Sequence, residues 1–171
     1  MSVPPGEEGT SRIFLPICER FIKLMKAWVG ADGFDTWRVT RIKDESWFTK
    51  NFVNVNNVKY PNVAVYIPAS DMQYVAINRH HGMEFSVMVQ FGFQEYENVD
   101  LETGYEFVEE LDALCVQYPR LNQQADPFGV DIFKIWKIDF TNSEFDFNSG
   151  DDFYRTWIFN EIKVKLSRCD I

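Results

Sequence analysis

The chain has 171 residues, of which 46% are hydrophobic and 25% are charged. This ordinary globular composition excludes wholesale disorder, and the length favours a single domain. The net charge is −9, and every uninterrupted apolar run falls far short of the roughly 20 residues that a membrane-spanning helix needs.

The acidic excess comes from one stretch. Residues 82–119 contain no Lys or Arg but hold nine of the 26 acids, and the remaining 17 acids match the 17 Lys and Arg. A solvated helix face explains such a charge run, and the alternative is a surface that repels DNA or meets a basic partner. A phosphate-binding face is not expected here, because affinity for nucleic acid comes mainly from Lys and Arg.

The composition of the first residues indicates where the folded domain begins, and the number of cysteines indicates the redox compartment. Residues 1–12 contain no apolar targeting core and are predicted to be a flexible arm, so that residues 13–171 form a single α+β domain. The odd count of Cys18, Cys115 and Cys169 suggests a reducing compartment and buried thiols.

The first half of the chain predicts one helix and several short strands. Apolar residues recur at spacings of three and four over residues 15–29, and Pro16 suits the first turn of a helix. Residues 37–42 predict a short strand. Residues 43–60 show no period and are interpreted as an irregular excursion. A strand is predicted over 63–67, and residues 72–77 are interpreted as either another short strand or the rim of a loop.

The second half is more regular. Apolar and polar residues alternate over 83–93, which favours a long antiparallel strand with one wet face. An acidic helix is predicted over 101–118, with Tyr105, Val108 and Leu111 in its apolar stripe and Pro119 at its end. Strands follow at 132–140 and 154–166, separated by a polar tip. The expected fold is α+β, with an antiparallel sheet of four to six strands and two helices packed on one face.

No motif indicates an enzyme. The chain lacks a phosphate-cradling glycine loop, a nucleophile elbow, HExxH and CxxC. His80 and His81 are adjacent, which favours a polar hairpin turn over shared ligation of a metal ion. The acidic segment that begins at Asp146 has Asp151 at the sixth place and Trp157 at the twelfth, where a calcium loop needs Gly and a bidentate Glu. We therefore expect no catalytic residue, no metal and no cofactor.

Two segments carry a resemblance to a known family. The first comprises YPNVAVYIP, the RHHGMEFSVMVQFGF strand and the LETGYEFVEELDAL helix, and the second is the closing strand FYRTWIFNEIKVKL. In pattern and order, residues 13–166 resemble the tail terminator (tail completion) proteins of tailed bacteriophages. The resemblance implies an N-terminal helix, an antiparallel sheet and a helix after the long central strand.

The resemblance also implies an architectural role in a virion. Such a protein forms a homo-hexameric ring on the last ring of the tail tube, stops tube growth and joins the tail to the neck. Its implied partners are itself, the tail tube protein, a neck or connector protein, and DNA that passes without specific binding. Its implied location is the tail or neck of a virion assembled in the host cytoplasm, with no membrane involved.

Two sets of residues are expected to serve this role. Surplus aromatic residues would anchor the protein interfaces, and the candidates are Trp47, Phe48, Phe52, Phe145, Phe147 and Phe153. Acidic residues would line a lumen or face a partner, because like charge lets DNA pass without sticking. These candidates are Glu102, Glu106, Glu109, Glu110 and Asp112.

Two alternatives remain open. Another head–tail connector or neck component would bind the portal side instead of the tube. A small-molecule-binding α+β domain would hold an aromatic cavity between its helices and sheet, and it would be a monomer or dimer.

Overall fold

Six strands and two longer helices make up the described part of the chain. A computed structural model describes residues 13–28, 37, 42–49, 58–68, 73–77, 80–94, 101–121, 133–147 and 155–168. The elements are α1 (Phe14–Ala27), a 3₁₀ turn (Asp44–Ser46), β1 (Trp47–Phe48), β2 (Asn62–Tyr66), β3 (Gln73–Ile77), β4 (His80–Gln94), α2 (Leu101–Gln117), β5 (Phe133–Phe147) and β6 (Arg155–Arg168). The α+β class is confirmed, and the predicted arm at 1–12 lies outside the described residues.

The sheet is built around β4. Its strand order is β1-β2-β4-β6-β5, and β3 also pairs with β4, beyond the end of β2. The β4–β6 ladder runs from Gly82/Ser167 to Gln94/Arg155. All pairings are antiparallel except β1–β2, which is parallel. Strand β1 of this short parallel pair lies in the segment 43–60 that was interpreted as an irregular excursion.

Both helices pack on one face of the sheet, as predicted. Directly opposed residues of antiparallel strands share a face, so the alternate apolar residues of β4 lie beside those of β6. On this core face, the Phe14 ring of α1 meets Phe85 edge-on at 5.2 Å. The Phe107 ring of α2 lies 5.3 Å from Phe91 and 5.4 Å from Phe93. Burial of these rings supplies much of the driving force for folding.

Trp37 completes the aromatic interior in a way that the sequence does not predict. It is fully buried, stacks on Phe91 at 5.8 Å and lies 6.2 Å from Trp28. Its φ of 47° is in the left-handed region, and Ile42 lies in a bend. The strand predicted over 37–42 is therefore wrong at both of its described ends, because a left-handed residue breaks an extended strand.

Strand β5 is longer than predicted. It continues to Phe147, through the first part of the segment interpreted as a polar tip. Two register shifts, at Ile135/Lys137 and at Phe140/Asn142, interrupt its pairing with β6. Each bulge adds a residue and so resets the alternation of buried and exposed side chains. That is why the alternating pattern ends early in the sequence.

Helix α2 is confirmed, but its buried side differs from the prediction. Leu111 is buried and Val108 packs against the core, as expected. Tyr105, assigned to the apolar stripe, is 49% exposed, whereas Phe107 is fully buried. Gly104 allows the close approach of α2 to the sheet, because a Cβ at this position would lie only 2.9 Å from the Phe145 ring.

A buried polar residue ties three strands together. Asn160 of β6 is fully buried on the core face, opposite Val89. Its Nδ2 donates a hydrogen bond to the Val89 carbonyl at 2.9 Å, and its Oδ1 accepts one from Ser143 Oγ at 2.8 Å. A slipped register would leave these polar groups without partners, which is costly in a buried site.

We predict that Asn160→Ala lowers the free energy of unfolding by about 1–3 kcal/mol, because two hydrogen-bonding groups lose their partner. Asn142→Ala is the matched control, since Asn142 is exposed on the neighbouring strand and its loss should cost less than about 0.5 kcal/mol. Urea unfolding of both variants measures the difference. Equal stabilities would show that the Asn160 contacts do not stabilise the sheet.

We also predict that Gly92→Ala destabilises the chain by about 1–3 kcal/mol through overpacking. A Cβ at position 92 would lie 2.6 Å from Cζ3 of Trp157 and 2.7 Å from Oδ1 of Asn62. Trp157→Phe removes the six-membered ring of the indole that carries Cζ3, so the penalty should shrink in that background. A double-mutant cycle measured by urea unfolding tests this coupling. A penalty unchanged by Trp157→Phe would show that the ring contact is not its cause.

Candidate functional site

The predicted aromatic anchors Trp47 and Phe48 form β1. Trp47 pairs with Val63, is half-buried and packs against the core. The Lys26 ammonium lies 5.4 Å from the centre of its ring and 3.2 Å from Oδ1 of Asp44. Phe48 is also half-buried. Trp47 therefore closes one side of the interior, and an interface role for either ring remains a prediction.

Of the other four aromatic candidates, two lie on β5 and two lie outside the described residues. Phe145 lies on the core face opposite Ile158, half-buried, and meets the Tyr105 ring edge-on at 5.4 Å. It thus helps to seat α2 on the sheet. Phe147 lies at the end of β5, opposite Thr156. Phe52 and Phe153 lie outside the described residues.

The acidic candidates do not form one continuous surface. Glu109 and Asp112 are exposed, and Glu106 is half-buried. Glu110 is only 7% exposed, so it does not belong to an exposed acidic face. It lies three residues after buried Phe107 and four before buried Leu114, which puts it on the inner side of the helix. Glu102 lies within α2, and its side chain is outside the described residues.

An exposed stripe runs along α2, and at one end its Tyr105 ring also contacts Phe145 of the sheet. Tyr105, Glu109, Asp112 and Val116 recur at spacings of three and four and are all exposed, with Val116 at 76%. We call these four residues the outer stripe. It combines two carboxylates with two apolar side chains. Sequence reasoning found its acids but missed Tyr105 and Val116, since both are residue types that are usually buried.

A basic patch occupies the opposite face of the sheet, where no described helix packs. Lys163 and Lys165 alternate with buried residues of β6, as the sequence predicted, and both are exposed. Lys137 lies directly opposite Lys165, and Lys134 lies opposite Ser167. The Lys134 ammonium is 5.4 Å from the centre of the Trp136 ring, so this indole belongs to the same surface. We call Lys134, Trp136, Lys137, Lys163 and Lys165 the lysine patch.

The described cysteines are buried. Burial raises the pKa of Cys18 to about 12, with Glu19 adding to the effect. Burial likewise raises the pKa of Cys115 to about 12, with smaller contributions from Asp112 and Asp139. Both thiols therefore stay protonated at neutral pH, which is unsuitable for a nucleophile. The prediction that Cys115 is buried is confirmed, and Cys169 lies outside the described residues.

The described residues show neither a metal cluster nor a membrane-spanning helix. They contain no group of three or more His, Cys, Asp or Glu side chains that could hold a metal ion. Their helices include none long and apolar enough to cross a membrane. His80 and His81 lie at the start of β4, paired with Ile77 and Ala76, so the polar turn predicted at these two residues is wrong.

Comparisons with known proteins identify no family. The sequence matches no protein-family model and no curated protein. Among solved structures, the fold is similar to a chain described as "Virion of native gene transfer agent (GTA) particle". The two share 5% sequence identity and a TM-score of 0.47, over 71% of this chain and 78% of that chain. A similarity at this level does not establish a shared function.

We predict that Cys18 and Cys115 make the chain less stable in alkali. An unfolded thiol ionises near its ordinary pKa of 9.0, whereas both folded thiols ionise near 12. Between these values the unfolded state binds fewer protons, so the free energy of unfolding falls as the pH rises from 9 to 12. The contribution of the thiols is fully present below pH 9.

Urea unfolding across this pH range measures the effect. The control is Cys18→Ala/Cys115→Ala, in which the alkaline loss of stability should be shallower because the two buried thiols are absent. Identical pH dependence in the two chains would show that the buried thiols are not responsible.

Proposed function

We propose that this chain is a structural protein of a phage-type virion. It forms a homo-hexameric ring at the head-proximal end of the tail tube, stops tube growth and joins the tail to the neck. The observation that carries the proposal is the presence of two exposed surfaces of opposite charge on opposite sides of one domain. Such a domain can contact two neighbours at once, as a ring subunit must.

The order of the elements supports the same role. Helix α1 precedes the sheet, the long strand β4 lies at its centre, and the acidic helix α2 follows β4. This is the arrangement that the resemblance to tail terminator proteins implies. The confirmed helix positions keep both helices on one face and leave the other for contacts between proteins.

The exposed acids of α2 suit a protein that DNA passes. Glu109 and Asp112 are exposed and make no salt bridge within the described residues, so no basic side chain there covers them. A carboxylate-lined passage does not attract phosphates. In this proposal the chain has no enzymatic activity and needs no metal or cofactor, and its partners are further copies, the tail tube protein and a neck protein.

The packing of the interior argues against a small-molecule-binding domain. Such a domain needs a cavity between the helices and the sheet. In the described part of this space the rings of Trp37, Phe91 and Phe107 lie 5.3–6.5 Å apart, which is contact distance. These side chains occupy the space that a ligand would need.

The proposal predicts that the chain binds one end of a preformed tail tube and stops its elongation. Purified cognate tail tube protein is polymerised with and without the chain, and tube lengths and ends are measured by negative-stain electron microscopy. Capped tubes should be shorter, with added density at one end only. Native mass spectrometry of the chain should show a species near six times 20.1 kDa, alone or on the tube.

Phe85→Asp is the negative control, because it puts a charge at a buried position of β4 and should unfold the domain. Binding along the whole tube, or tube growth unaffected by the folded chain, would contradict the terminator role. Binding to a portal or connector but not to bare tubes would instead identify a neck component.

A further inference from the structure

We infer that the lysine patch of one copy binds the outer stripe of α2 of a second copy. This inference deepens the proposed function, on which it rests, by naming the two surfaces that join neighbouring subunits. The occupant of the patch is thus another copy of this chain, and the contact is head-to-tail.

The lysine patch has an electrostatic cost that folding alone does not require. Lys137 and Lys165 are directly opposed across the β5–β6 ladder, and like charges in this position destabilise a sheet. Asp139 lies 3.2 Å from Lys137 and directly opposite Lys163. Glu84 lies directly opposite Lys165, so these two carboxylates offset part of this repulsion. Within the described residues, Lys163 and Lys165 have no ion-pair partner. Carboxylates supplied by a partner would remove the repulsion.

Trp136 gives the patch an anchor as well as charge. Its ring is half-buried beneath the Lys134 ammonium, and its Nε1 is buried without a hydrogen-bond acceptor in the described part of the chain. Trp is enriched at the centre of protein interfaces, whereas charged side chains such as lysines belong to the polar rim around it. The patch fits a partner surface that offers both apolar contact and negative charge.

The outer stripe of α2 is such a surface. Glu109 and Asp112 lie between Tyr105 and Val116, which are the two most exposed large apolar residues of the described chain. The stripe therefore presents carboxylates to the ammonium groups and apolar atoms to the indole. Complementary potentials of this kind set the orientation of a contact and speed its formation.

The placement of the two surfaces decides the symmetry of the contact. α2 packs on the core face and carries its exposed outer stripe on that side of the sheet, whereas the lysine patch lies on the opposite face. A two-fold dimer would bring like charges together, patch to patch or stripe to stripe. Only a head-to-tail contact pairs unlike charges, and repetition of such a contact closes into a ring when the rotation allows it.

Double-stranded DNA is a weaker candidate for the patch. The chain carries a net charge of −9, and Asp139 and Glu84 lie on the same face as the lysines. Long-range repulsion from this charge opposes the approach of a polyanion. A second copy instead offers carboxylates at two defined positions.

Charge reversal tests the inference. Lys163→Glu/Lys165→Glu and Glu109→Lys/Asp112→Lys each make one surface repel the other. We expect each variant to weaken self-association of the full chain at least about tenfold by sedimentation velocity and native mass spectrometry. Both variants change exposed residues, but Lys163→Glu and Lys165→Glu place like charges opposite Asp139 and Glu84. Urea unfolding curves therefore accompany the association measurements, to show that both variants are folded under the same conditions.

Mixing the two variants provides the decisive measurement. The acidic sheet face of the first can bind the basic stripe of the second, and the unaltered surfaces of the two also remain complementary. An equimolar mixture should therefore recover oligomers that contain both variants in alternation. Lys23→Glu/Lys43→Glu is the matched control, since it changes the net charge by the same amount as Lys163→Glu/Lys165→Glu at exposed positions outside both surfaces. It should associate like the unaltered chain.

Three outcomes would overturn the inference. These are a chain that remains monomeric at all concentrations, charge-reversed variants that still form the oligomer, and a mixture that fails to recover it. Loss of binding to a double-stranded DNA fragment, with the oligomer intact, would assign the patch to nucleic acid. The tube-capping assay reports separately on the proposed function, because a chain that caps tubes without this contact would retain that function and lose only the inference.

Discussion

The continuous pairing of β4 with β6 is the constraint on which the rest of the structure depends. Side chains alternate between the two faces, so a slip of one residue would exchange the apolar face for the polar one. Asn160 opposes such a slip, since its side chain is buried and bonded to Val89 and Ser143. Once this register is set, the core face can accept both helices, and Lys163 and Lys165 must point away from them.

Much of this arrangement could be predicted from local patterns. Apolar spacing in α1 and α2 and alternation in β4 and β6 each reflect burial on one side, so the sequence records them directly. The features that were not predicted leave no periodic pattern in the sequence. Bulges in β5 change the phase of alternation, the parallel pairing of Trp47 and Phe48 joins segments distant in sequence, and the left-handed backbone at Trp37 depends on tertiary packing.

The residues of the candidate surfaces also differ in whether a local sequence pattern or tertiary packing determines their exposure. Tyr105 and Phe107 are both aromatic, and they lie about 200° apart around a helix. Only the contacts of Phe107 with Phe91 and Phe93 determine which one is buried. Glu110 is likewise buried because of its angular position on the helix. The run of acidic residues in the sequence does not indicate that this one lies on the inner side. The separate positions of the acids and lysines in the sequence likewise do not reveal that they end on opposite sides of the domain.

The sheet edge gives an independent reason to expect association through faces. β5 is an edge strand, and an exposed edge is the usual site for strand-to-strand assembly. Here the Pro119 carbonyl accepts a hydrogen bond from the Ile138 amide at 2.8 Å, so the segment after α2 occupies part of that edge. The two bulges bend the strand further, which hinders the regular pairing of another copy. A contact between the lysine patch and the outer stripe uses neither edge, and an open oligomer keeps one free patch at one end and one free stripe at the other until the ring closes.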